Sequence, residues 1–272
     1  TLDRSSAASD VYKRQVAAMQ LNVIPPRGGS RWVKQGIHTF FRQPLALAGL
    51  FFMFMAVITI VSQVPLIGIP LAMALMPAAT LGLMVATREA SEGRFPMPVV
   101  LLAAFRSGKP HTRAMLVLGA MYCLGFLAAM GASWLVDGGG FARVYMGGAT
   151  PTREMIMLPE FQWAMWAFVG IYLPLSLLFW HAPALVHWYG VPPVKSLFFS
   201  LVACLRNFGA LVVFALSWLA VLVLVVLGVS TLLALLGLTG IAGDILYPMM
   251  LMMASMFFTS LYFSFHDTFD PQ

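Results

Sequence analysis

Apolar residues in this chain come in long unbroken blocks, and the polar residues fall between them. Six blocks approach the roughly 20 residues that a helix needs to cross the hydrocarbon of a bilayer. They run from Pro44 to Val61, Leu66 to Ala86, Ala114 to Val136, Phe161 to Trp180, Phe208 to Leu236 and Ile245 to Phe265. Strands of a membrane barrel would alternate apolar and polar positions. Runs such as VLVLVVLGVSTLLALLGL do not alternate, so the pattern predicts helices, which satisfy their backbone polar groups within one segment. The predicted fold class is all-α, a polytopic membrane bundle of six transmembrane helices.

Shorter stretches with a different period precede each pair of blocks: SRWVKQGIHTFFRQP, PVVLLAAFRSGKP and PPVKSLFFSLVACLRN. In the first, Trp32, Val33, Gly36, Ile37, Phe40 and Phe41 recur at helical spacing, with basic residues on the other face. That pattern suits an amphipathic helix lying in the membrane interface. Arg42-Gln43 and Arg206-Asn207 each close such a stretch just before a long block. The order is interfacial helix, span, span, three times over; the alternative is that any segment flanking a span looks amphipathic. The second block holds Pro65, Pro70 and Pro77. Proline inside a helix removes one backbone bond and bends it. A bent helix is the expectation here, against a broken helix that builds a midplane binding site.

Composition agrees with a membrane solvent. Hydrophobic residues make up 60% of the chain and charged residues 10%, against about 25% charged in soluble domains. The mean hydropathy is +0.87. Basic residues gather on one side: Arg27, Arg31, Lys34 and Arg42 before the first span, Arg88, Arg94, Arg106, Lys109 and Arg113 between the second and third, and Lys195 and Arg206 between the fourth and fifth. The other side has Arg143 and Arg153. Cytoplasmic loops accumulate Lys and Arg, so both ends of the chain are expected in the cytoplasm. The pI of about 9.6 needs no nucleic acid, because basic residues next to anionic lipid account for it. Membrane lipids are the expected partners, with self-association or other membrane proteins beside them.

Three further segments frame this domain. Residues 1–15, TLDRSSAASDVYKRQ, resemble a translated sequencing-adapter fragment and are set outside the fold, with a natural start expected near Met19. Residues 16–43 form the cytoplasmic N-terminal segment with its interfacial helix, 44–266 the membrane domain, and 267–272 a tail that includes Asp267 and Asp270. No short apolar run ending in small residues follows the first basic cluster, so no cleaved leader is expected.

Candidate chemistry is sparse. His181 and His187 stand near the end of the fourth span, six residues apart with Pro183 between them. A helical metal pair wants spacing of three or four, so a histidine hydrogen-bonded at headgroup level is the expectation for each. Trp180, Trp188 and Tyr189 fit an interfacial aromatic belt. Met249, Met252, Met253 and Met256 share a helical face; thioethers bind Cu(I), but no Cys or His joins the stripe, and adaptable packing accounts for it. No acid lies well inside a span, which disfavours proton-coupled transport along a buried carboxylate. Gly119, Gly125 and Ala129 could pack helices closely, within or between chains. Cys123 and Cys204 sit at different depths and predict no disulfide. DGGGF and MGGAT read as turns of the largest external loop. No nucleotide, hydrolase or zinc-protease motif is present, so no catalytic residue, cofactor or metal is assigned. The polar cluster of interest is His181, His187, Lys195, Arg206 and Asn207.

At RWVKQGIHTFFRQPLALAGLFF, LLFWHAPALVHW and PPVKSLFFSLVACLRN the chain resembles a family of uncharacterised polytopic inner-membrane proteins of Burkholderia-type and related proteobacteria. The resemblance covers Met19 to the end. It implies a multi-pass protein of the bacterial inner membrane and assigns no functional residues. Three functions stay open: a noncatalytic scaffold, assembly or lipid-organising protein, favoured by the interfacial helices; a transporter or channel for a small or lipidic solute; and a lipid-modifying enzyme, which would need groups such as His181 and Arg206 to converge.

Overall fold

A computed structural model describes residues 21–146 and 148–269. The stretch read as non-native, 1–15, lies outside the described residues. Within them the regular structure is all helix, with no strand. Six helices are long and apolar enough to cross a membrane, as the hydropathy blocks predict.

Helix α1, Gly28–Arg42, is followed by the spans α2, Pro44–Ser62, and α3, Gly68–Ser91. A 3-10 turn at Pro98–Leu102 and a short α4, Ala103–Arg106, lead into span α5, Lys109–Asp137. Two short helices, α6 at Gly140–Tyr145 and α7 at Arg153–Met157, precede span α8, Pro159–Phe179, which continues after a break as α9, Ala182–Tyr189. Helix α10, Pro193–Arg206, then precedes spans α11, Phe208–Leu235, and α12, Ala242–Phe269. Each pair of spans is therefore preceded by a shorter helical stretch, and the middle pair carries α6, α7 and α9 in addition. One residue, Gln43 or Asn207, separates α1 from α2 and α10 from α11.

Span α3 is central. It packs against α2, α5 and α12, while α8 lies along α5. Lipid gives no hydrophobic drive for helices to associate, so small residues at crossings matter. A Cβ on Gly119 of α5 would collide with the Ala74 carbonyl of α3, and Gly125 faces the Leu175 side chain of α8. Ala129 is fully buried. The small residues of the third span thus serve contacts inside the chain. Span α3 is one continuous helix with Pro77 inside it and Pro65 in the preceding turn, in keeping with a helix that continues through its proline.

The interfacial helices differ from expectation in what covers them. The apolar face of α1 is buried on α12 and α11, where Trp32 and Val33 are sealed, while Phe40 joins the core cluster of α2 and α3. Gly36 abuts Ser260, and Gly29 abuts the Ala210 carbonyl. Helix-on-helix contact at two glycines replaces lipid under this face, although Phe41 remains exposed. The middle stretch is only a 3-10 turn and one α-turn. At the other membrane edge, Gly138 and Gly139 adopt left-handed backbone, and Asp137 accepts from the Gly139 and Phe141 amides, so DGGGF is a turn as read.

Burial is uneven. In α3, α5 and the α8–α9 span, 44% of the most apolar stretch is covered, against 17% in α11. No residue of α12 before Ser255 is buried.

Close approach at Gly119 predicts a sharp contrast between two glycines of one helix. Gly119→Ala should destabilise the protein by about 1–3 kcal/mol through overpacking. Gly131→Ala, where nothing lies within 4 Å, should be neutral or slightly stabilising. Unfolding by denaturant titration in mixed micelles measures both.

Candidate functional site

The five polar residues singled out from sequence do not form one centre. His181 sits at the break between α8 and α9. Pro183 has no N–H to continue the ladder, and the backbone opens between Leu177 and His181. The Ser200 hydroxyl of α10 fills the opening: it accepts from the His181 amide at 2.9 Å and donates to the Leu177 carbonyl at 2.8 Å. A side chain from another helix thereby stands in for the lost i→i−4 bond. The His181 ring is buried against Phe265 and Phe269, with centroids 5.9 and 5.3 Å away. Its Nδ1 has no hydrogen-bond partner among the described residues. The headgroup-level histidine expected here is instead an interior ring, because the break packs it onto the last turns of α12. His187 is half-buried, with Nδ1 3.3 Å from the Ser107 hydroxyl. Lys195 and Arg206 are exposed on α10.

Asn207 is buried and clamps the N-terminal segment. Its Oδ1 accepts from the Ile24 amide at 2.7 Å, and its Nδ2 donates to the Asn22 carbonyl at 3.1 Å. Asp267 completes this clasp. Its carboxylate takes a bond from Arg31 at 2.8 Å and from the Trp32 indole at 2.9 Å. Sequence reading placed Asp267 in a tail, but α12 runs to Phe269. The i, i+4 pairs Ser264–Thr268 and Phe265–Phe269 were the signal that the helix continues.

Aromatic residues that the sequence assigns to an interfacial belt are also partly interior. Trp180 donates to Ser264 at 3.2 Å, and Tyr189 to the Phe269 carbonyl at 3.0 Å. Met252 and Met256 pack beside Phe51 and Phe54, as adaptable fillers. Cys123 and Cys204 are free thiols. Burial pushes the Cys204 thiol up to about 12, against a smaller opposing effect of its bond with Ser200.

Two concave features bear on function. The first is a groove of about 610 Å³ on the basic side, where α5 and α10 both begin. Lys109 and Arg113 rim it, and Val117 and Val194 line it. Among the described residues neither cation has a carboxylate partner. Two helix N-termini add positive potential there. The second is a cleft of about 150 Å³ between α3, α5, α8 and α12, holding Thr80, Tyr122, Tyr172 and Ser176. The Tyr122 and Tyr172 hydroxyls are 2.9 Å apart. Sequence reasoning missed this pair. The available signal was tyrosine in the middle of spans, away from the interfaces where it is enriched.

A probable inner membrane protein of Burkholderia thailandensis is 35% identical over 257 residues, which cover 93% of this chain and 95% of that protein. The chain belongs to this family of inner membrane proteins. No family model matches it, and no solved structure does. Membership and the six apolar helices together make it a multi-pass inner membrane protein. The resemblance seen in the amphipathic segments is thus met across nearly the whole chain.

The clasp generates a prediction for this inner membrane protein. Asp267→Ala strands the Trp32 N–H and frees Arg31, at a cost of about 1–3 kcal/mol. Hydrogen exchange across Gly28–Arg42 should accelerate while exchange in α5 stays unchanged.

Proposed function

We propose that this is a noncatalytic, lipid-organising protein of the inner membrane, with both ends in the cytoplasm, that holds an anionic phospholipid at its basic edge. The groove between α5 and α10 carries this reading. Lys109 and Arg113 stand at its rim without carboxylate partners, two helix N-termini open onto it, and exposed valines continue below. A phosphate headgroup matches the cations and the amide dipoles. Its acyl chains match the valines. Basic pockets between spans next to the cytoplasmic leaflet recognise such lipids. Orientation follows from the Lys and Arg bias.

A catalytic role has less support. The His181 ring meets two phenylalanines, and Arg206 is exposed, so this pair offers no acid–base constellation. The midplane cleft favours a second reading, a carrier for a lipidic solute. Transfer of a fluorescent lipid between leaflets of proteoliposomes distinguishes the two: a carrier accelerates it, and an organiser leaves it at the protein-free rate.

In phosphatidylcholine nanodiscs, added cardiolipin or phosphatidylglycerol should raise the melting temperature and be retained through purification. The Lys109→Gln, Arg113→Gln double variant should lose about 1 kcal/mol of that stabilisation per charge. Native mass spectrometry that finds equal retention of anionic and zwitterionic lipid, or no change in the variant, would overturn the proposal.

A further inference from the structure

The midplane cleft has chemistry that headgroup binding does not use. Tyr122 and Tyr172 share one hydrogen bond. Two phenols carry two protons and one bond uses one, so the pair keeps an O–H to donate. The Thr80 hydroxyl, also in the lining, makes no hydrogen bond among the described residues. Ser176 spends its proton on the Leu173 carbonyl at 2.7 Å. No charged side chain lines the cleft.

Depth narrows the ligand. Tyr122 lies near the middle of α5, and Thr80 near the middle of α3. Bulk water is absent there, and an unmet hydroxyl is costly. Ions avoid that depth. Ester carbonyls of diacyl lipids lie at the hydrocarbon edge, roughly 15 Å from the centre. A cavity of about 150 Å³ holds a benzene-sized ring, and Phe179, Trp180 and Phe258 give this one aromatic walls. Helices α8 and α12 make little direct contact, and α11 packs on α1 and α12 rather than across α8. Tyr172, Ser176 and Phe258 of its lining are only partly buried, so the cleft reaches the surface of the bundle, where a tail can leave.

The geometry points to a binding site for an uncharged, membrane-soluble molecule with a ring-sized head bearing a carbonyl oxygen, of the prenyl-quinone class. The carbonyl accepts from the Tyr122–Tyr172 pair, and the isoprenoid tail passes between α8 and α12. Binding alone is assigned, with no electron transfer.

The test uses the full chain in phosphatidylcholine nanodiscs, titrated calorimetrically with a benzoquinone carrying one isoprene unit and, separately, with monoolein. The quinone should bind saturably. The Tyr122→Phe, Tyr172→Phe variant should bind it about tenfold more weakly, the loss of one hydrogen bond. Ser176→Trp, which fills the cleft from a half-buried position, should abolish binding while the melting temperature holds. The Lys109→Gln, Arg113→Gln variant should bind normally, so this site and the headgroup groove fail separately. Tyrosine-dependent binding of monoolein in place of the quinone would overturn the quinone assignment in favour of an ester lipid. Failure of both probes to bind a natively melting protein, or binding indifferent to the tyrosine changes, would overturn it.

Discussion

Every backbone amide and carbonyl that leaves a helix ladder at membrane depth must find a partner in the protein. The rest of this structure follows from how that demand is met where spans begin and break. The Ser200 hydroxyl completes the broken turn between Leu177 and His181. Asn207 supplies an acceptor and a donor to the extended segment before α1. In both cases a short polar side chain on α10 or just after it satisfies backbone from a different part of the chain. These bonds fix where α9 turns and where α1 lies, and so set the two edges of the basic side.

Packing is concentrated around α3, whose neighbours approach at glycine and alanine, while the outer half of the α11–α12 hairpin is left to lipid. Serine and threonine on the inner half of α12 add specific contacts. Ser260 receives the Trp218 indole at 3.2 Å, and Ser255 donates to the Leu47 carbonyl at 3.3 Å. Tryptophan thus joins α11 to α12 by a polar tip on an apolar body. The same economy of charge leaves the interior with hydroxyls as its main polar groups, and it explains why the cleft suits neutral molecules.

Spans, the helix–span–span order and the close helix packing at Gly119 were legible because each rests on local periodicity or residue size. Tertiary partners were not. The basic and apolar faces of α1 identify an amphipathic helix, but hydropathy is blind to whether lipid or Ser260 lies against Gly36. His181 reads as interfacial by position, yet the turn at Pro183 brings it against Phe265 and Phe269 from a distant span. In the sequence Lys109 and Arg113 read only as topological charges. Their meeting with the start of α10 depends on the way α10 packs against α8 and α5, and no spacing records it.

The contact of α1 with α11 and α12 also orders events in time. Asn22 bonds to the Asp267 carbonyl across 245 positions, so this helix emerges long before its resting place exists. At synthesis rates of 5–20 residues per second the wait is roughly 12 to 50 s. Throughout it, the face bearing Trp32 and Val33 must be sheltered by the membrane surface or by an insertion factor. The amphipathic character of α1 is then a requirement of assembly: a helix that first rests on lipid and later exchanges it for the last hairpin.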